Sequence, residues 1–185
     1  MCNTSEKQDD ETTTVGFPLL TLIIAGIVPA VRVSQRLDDG NLNARLVYGN
    51  GVDLTWAPEG PGWPREGGNW YAAQRACEHL SEDGLTSEST SQNNWRLPTV
   101  EEAVRSMTRQ GENSGGEWDV ETAQATYLIT PDKESPLWNP HSQVIYWWTA
   151  TVANEEQAYI IAYDGKVWPR SKDFGPAYLG FRCVR

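Results

Sequence analysis

Histidine and methionine are nearly missing from this chain, with two of each among 185 residues. The three cysteines, Cys2, Cys77 and Cys183, form no CxxC pair, and only His79 and His141 could assist them, so no zinc site is expected. Cations are scarce too. Fifteen Lys and Arg stand against 25 Asp and Glu, a formal charge of −10, and no dense basic cluster is visible. Nucleic acid and other polyanions are therefore not expected partners. GxSxG, a Ser/His/Asp arrangement, a phosphate-cradling glycine loop and internal repeats are all lacking. Carboxylates are plentiful, but nothing in their spacing pairs them for glycoside hydrolysis. Neither an enzymatic activity nor a cofactor is expected. What the chain has in excess is tryptophan, with nine residues. Trp is costly to expose and rarely buried whole, so some should pack the core and others should line a binding surface.

The first 14 residues, MCNTSEKQDDETTT, are polar and acidic. VGFPLLTLIIAGIVPAV follows at 15–31, part of a charge-free stretch from Thr12 to Val31, and Arg32 and Arg36 come directly after. Four readings compete for it. The first is a membrane-spanning helix that would bury Phe17, Leu19, Leu20, Leu22, Ile23, Ile24, Ile27 and Val28, trimmed at its ends by Pro18 and Pro29. A signal peptide ending at Ala30 fits the small residues of VPA but has an acidic leader. A lipoprotein reading uses Cys2, and a pilin-like reading uses Gly16–Phe17 as a processing junction but finds Thr21 where an acid is expected. The membrane helix is the reading adopted. The arginines after the run favour a cytoplasmic C-terminal side, whereas a disulfide requires the opposite. Two charges are a small bias, so the domain is expected on the periplasmic or extracellular side. Residues 32–44 carry an Asp-Asp-Gly-Asn turn signal and read as a linker, and 45–185 as the folded domain.

Within that domain, RLVYGNGVDLTW at 45–56 predicts a hairpin about Gly49-Asn50-Gly51. Asn69 caps a helix in which Trp70, Ala73, Cys77 and Leu80 share one face, leaving His79 at the surface. Cys77 thus points inward, toward either a disulfide with Cys183 or a place as a buried thiol. A loop of that span would contribute ~4–5 kcal/mol at most. In WRLPTVEE, from Trp95, Pro98 sets the entry and Thr99 with Glu102 makes a capping box for a second helix through Val100, Ala103, Val104 and Met107. Arg96 points away from Trp95 and Leu97, toward an ion pair with Glu101 or Glu102. The segment Gln110–Ser142 reads as one long loop, of the kind that carries function. Its alternating Glu117, Asp119 and Glu121 could meet a cation, but such carboxylates are ordinarily solvated, and no metal is expected. Three antiparallel strands close the chain: QVIYWWTAT, QAYIIAYDGKVWPR with an Asp164-Gly165 turn, and AYLGFRCVR. By strand parity one of Trp147 and Trp148 should face inward and the other outward.

Trp56, Trp70 with Cys77, WRLPT, YWWTAT, the Asp164-Gly165 turn with Lys172 beyond it, and the closing GFRCVR together resemble the C-type-lectin-like fold. More narrowly, residues 47–185 resemble the bacterial family named after the C-terminal domain of the Lcl collagen-like adhesin. The resemblance implies an α+β domain of two helices, antiparallel strands and a long loop, here preceded by the apolar anchor. It makes WRLPT a piece of scaffold and implies a surface-attached module that displays loops for recognition. The EPN, QPD and WND tripeptides of calcium-dependent sugar binding are missing, and WNP at 138–140 is a poor echo. Sulfated glycans suit an acidic chain badly. The reactive cysteine pair of the sulfatase-modifying relatives would be consumed by one bridge. Trp138, Asn139, His141, Trp148, Tyr163, Trp168 and Tyr178 are the candidate ligand or partner residues, each with core packing as its alternative. The expected function is a membrane-anchored, non-catalytic module that binds a glycan or protein through its long-loop face. The alternative is a structural accessory subunit of a larger membrane complex or surface filament.

Overall fold

The computed structural model describes residues 45–49, 52–133 and 136–185. The tail 1–14, the apolar run 15–31, the linker 32–44 and the Asn50–Gly51 turn lie outside them. Among the described residues no helix is long and apolar enough to cross a membrane. Strands β1 (Arg45–Gly49) and β2 (Val52–Trp56) pair antiparallel with Gly49 opposite Val52, as the glycine-rich turn predicts. Helix α1 (Trp70–Glu78) starts where Asn69 accepts the Ala72 N–H at 2.9 Å. Ala73, Cys77 and Leu80 are fully buried, and His79 is half-buried, its Nδ1 3.0 Å from the Glu88 carbonyl. Helix α2 (Val100–Ser106) carries the full capping box: Thr99 Oγ1 accepts the Glu102 N–H and the Glu102 carboxylate accepts the Thr99 N–H. That carboxylate also takes both guanidinium nitrogens of Arg96, at 2.6 and 2.7 Å, which selects Glu102 as the arginine's partner. Glu101 pairs with Arg105 one turn along.

The long segment after α2 is more ordered than a single loop. It holds two short hairpins, β3 (Thr108–Arg109) with β4 (Glu112–Asn113), and β5 (Glu117–Asp119) with β6 (Gln124–Thr126). The main sheet follows: β7 (Tyr146–Val152), β8 (Gln157–Ala162), β9 (Val167–Ser171) and β10 (Leu179–Gly180), in the order β10-β7-β8-β9. β7, β8 and β9 form an antiparallel meander, and Gly165, at φ +83°, makes the turn between β8 and β9. The closing segment departs from expectation, because β10 runs parallel to β7.

Each face of this sheet is covered. One buried cluster joins Trp147 and Ile161 to α2 through Val100, Ala103 and Val104; the other joins Trp148 and Ile160 to α1 through Ala73 and Cys77. Parity does send the two tryptophans to opposite sides, but neither side is solvent. Trp147 and Trp148 are both 0 % exposed, which corrects the expectation that one points outward. A sheet clothed on both faces needs continuous apolar runs instead of alternation, and YWW and YIIA are such runs. In all, Trp56, Trp63, Trp95, Trp147 and Trp148 are buried.

Residues 182–185 tie the ends of the domain together. Thr55 and Arg185 exchange backbone hydrogen bonds at 2.9 and 3.0 Å, and Arg96 and Val184 do so at 3.0 and 2.8 Å. The segment therefore lies between β2 and WRLP, pairing with both. Cys183 within it is bonded to Cys77, with Cα atoms 5.5 Å apart. Arg182 is 1 % exposed. Its Nε donates to the Ala57 carbonyl at 2.7 Å, its Nη1 donates to the Pro136 carbonyl, and its guanidinium stacks 3.6 Å from the Trp63 ring centre. Trp63 Nε1 in turn donates to the Leu137 carbonyl. One buried arginine and one tryptophan thus fasten the distal end of the long segment to the frame, and both bonds accept on carbonyls that would otherwise be stranded away from water.

Candidate functional site

The β8–β9 hairpin and the returning chain after β9 build an aromatic array on the domain surface. β9 is an outer strand of the sheet, and Trp168, opposite Ile160, lies half-buried on it. Tyr146 opens β7, and both its N–H and that of Ile145 donate to the Tyr178 carbonyl, which draws the return segment against the sheet. The return is held from its other side by Gly67 and Gly68, whose N–H groups donate to the Ala177 and Leu179 carbonyls at 2.8 and 3.0 Å. Glycine is required at 67, since a Cβ there would stand 2.0 Å from the Leu179 oxygen.

This brings the Tyr146 ring 5.3 Å from Trp168 and 5.8 Å from Tyr178, each edge-to-face. Tyr178 meets Phe174 at 6.5 Å, and the Arg170 guanidinium sits 5.5 Å over Phe174. Tyr178 and Phe174 are 42 % and 40 % exposed, so the array ends in open rings and not in core. Edge-to-face pairs each contribute roughly 0.5–1.5 kcal/mol beyond area burial, enough to hold the rings in register before anything binds. Lys172, just before the return segment, is 8 % exposed. Its Nζ donates to the Glu155 and Asn154 carbonyls and lies 5.0 Å from the Trp70 ring.

Four of the seven sequence-predicted residues fall into two groups. Trp168 and Tyr178 belong to the array. Trp138 and Tyr163, both half-buried, flank the Lys133 ammonium at 5.1 and 5.2 Å. Among the described residues no ring contact links the groups. His141 is exposed. Two residues prove to be scaffold. Trp148 is buried and donates to the Gly68 carbonyl at 2.8 Å. Asn139 is 2 % exposed and shapes a turn by accepting the His141 N–H on Oδ1 and the Ser142 N–H on its carbonyl. Tyr146 and Phe174 were missed. Parity with Trp148 could have placed Tyr146 on the α1 side of the sheet, but no local pattern marks Phe174.

The Glu117, Asp119 and Glu121 carboxylates do not converge. Asp119 instead accepts the Glu121 and Thr122 N–H groups, and its hydrogen bonds with Thr122 and Glu121 hold its carboxyl below the usual value. Among the described residues no three His, Cys, Asp or Glu side chains are placed to hold a metal ion. Compared with known protein families the chain matches none, and no curated protein matches it.

Proposed function

We propose that the domain is a non-catalytic recognition module of C-type-lectin-like type, related to the C-terminal domain of the Lcl adhesin and carried outside the cytoplasm on an anchor at residues 15–31. The observation that carries the reading is the part-exposed array Tyr146, Trp168, Tyr178 and Phe174, bordered by Arg170. Tyrosine rings set among hydroxyls and a guanidinium offer both stacking faces and hydrogen-bonding groups. That combination suits the alternating apolar faces and hydroxyl edges of a sugar ring. The Cys77–Cys183 bond supports an oxidising compartment. The adjacency of RCVR to both Trp56 and WRLP supports the family reading, since those blocks carried the resemblance.

The test is a titration of the full chain, in mild detergent, with neutral oligosaccharides, followed by tryptophan fluorescence. Binding is expected to fall at least tenfold in Tyr178→Ala and to be unchanged in His141→Ala. Equal affinity in the Tyr178 variant, or no response to any neutral glycan, would overturn the assignment. Recovery of the chain from native membranes only within a stoichiometric complex would favour the accessory-subunit role instead.

A further inference from the structure

The β5–β6 hairpin carries a second candidate surface, independent of the aromatic array. Its inner positions, Trp118, Ala125 and Tyr127, pack against the cluster that α2 covers. Its outer positions, Glu117 opposite Thr126 and Asp119 opposite Gln124, are exposed. Beyond the hairpin Leu128 is 89 % exposed and Ile129 49 %, and Val120 at the tip is 77 % exposed. Covering a leucine fully is worth about 1.5–3 kcal/mol, so aliphatic groups held in water here favour a partner that covers them.

Beside Leu128 opens a half-enclosed cavity of about 420 Å³, walled by Arg105, Gly115, Gly116, Glu117, Thr126 and Leu128, with Tyr127 behind. Two glycines keep it open. A Cβ on Gly115 would stand 2.6 Å from Leu128, and one on Gly116 would stand 2.2 Å from the Val104 carbonyl. The wall carries one cation, Arg105, and one anion, Glu117, and they differ in their partners. Arg105 is neutralised by Glu101, while the Glu117 carboxylate has no hydrogen-bond or ion-pair partner among the described residues. Glu112, Asp119 and Glu121 stand along the hairpins against one cation, Arg109 opposite Glu112, so the surroundings carry a net negative charge. The C-terminal end of α2, the negative pole of its dipole, abuts the cavity wall at Val104 and Gly116.

Leu128 and Tyr127 beside a carboxylate without a partner among the described residues are complementary to a cation on an alkyl stem. The exposed aliphatic side chains ask in addition for apolar cover, which a small amine cannot supply. We infer that the β5–β6 hairpin docks a basic segment of a partner protein, one Lys or Arg side chain entering the cavity beside Glu117 while its apolar neighbours cover Leu128.

The test uses two capped pentapeptides, Ala-Leu-Lys-Leu-Ala and the same peptide with norleucine in place of lysine, titrated into the isotopically labelled full chain in zwitterionic micelles. Amide shifts of Gly115, Gly116, Glu117 and Leu128 are expected to move with the lysine peptide. Affinity should drop at least fivefold for the norleucine peptide and in Glu117→Gln, whose side chain is exposed and whose fold should be kept. Raising salt should weaken the lysine peptide alone. No shift at millimolar peptide, equal binding of both peptides, or shifts confined to Tyr146, Trp168 and Tyr178 would overturn the inference. Spermidine competing as well as the lysine peptide would also overturn it, by making the cavity a polyamine site. The aromatic array is untouched by Glu117→Gln, so this result and the oligosaccharide titration fail separately.

Discussion

Cutting the Cys77–Cys183 bond gives the clearest quantitative test of how the domain is held. The two cysteines are 106 residues apart. Constraining a loop of that size removes about 16 cal/mol/K from the unfolded chain, or ~4.8 kcal/mol at 25 °C. A domain of this class has roughly 5–15 kcal/mol of stability in total, so the bridge accounts for a large share of it. The midpoint of thermal unfolding should fall by roughly 10–20 °C. The assay is urea and thermal unfolding of the full chain in mild detergent, followed by fluorescence of the buried tryptophans. A Cys2→Ser background keeps the third thiol out of exchange. Oxidised protein is compared with reduced protein, which retains both sulfur atoms in the core, and with the Cys77→Ala/Cys183→Ala variant. Both cysteines are 0 % exposed, so the double variant should lose somewhat more than reduction does, through the space left behind. If reduction shifted stability by less than about 1 kcal/mol, the reasoning from chain entropy would be refuted. The unfolded chain would then already be restricted, for example by its own tryptophan clusters.

Two further outcomes follow from the same packing. Arg182→Met keeps the bulk beside Trp63 but strands the Ala57 and Pro136 carbonyls, and should cost about 2–6 kcal/mol at roughly 1–3 kcal/mol for each unmet group. Hydrogen exchange should accelerate first around residues 136–138, and uniform protection would refute the fastening role. Burial pushes the Glu102 carboxyl up, but the hydrogen bonds from Arg96 and Thr99 and the arginine's charge outweigh it and leave the group below its ordinary value. A depressed folded-state value contributes stability above the unfolded glutamate value, near 4.3, that is lost as pH falls through the folded one. Glu102→Gln should therefore be destabilised by about 1 kcal/mol at pH 7, and its difference from the parent should shrink in acid; a pH-independent difference would contradict the pairing.

What was legible in the sequence is what a few neighbouring residues decide among themselves. Asn69 and Thr99 cap helices because their side chains reach amides three residues on, and Asp164-Gly165 turns a hairpin because glycine accepts positive φ. Strand parity separated Trp147 from Trp148 correctly. It could not say what covers each face, because that depends on helices placed more than 40 residues earlier. The β5–β6 hairpin escaped notice because strands of three residues are too short to show a period. Asn139 was misjudged because its polarity suggests the surface, whereas its work is to close a turn. Of the candidate site, Trp168 and Tyr178 were legible as aromatics near the closing strands. Their partner Tyr146 was hidden in a run that reads as core, and Phe174 lies in a stretch without a pattern.

The placement of residues 182–185 also has a consequence in time. Thr55 finds its backbone partner in Arg185, about 130 residues later, and Arg96 waits for Val184. At a synthesis rate of about 5–20 residues per second, β2 stands with one edge open for roughly 7–26 s before the strand that fills the gap exists. Until then the domain has no closed sheet between β2 and WRLP and no link from α1 to its far end. A chain in that condition is exposed to pairing with its neighbours through the unfilled edges. The late arrival of a short segment thus makes the protein dependent on whatever shields β2 in the interval.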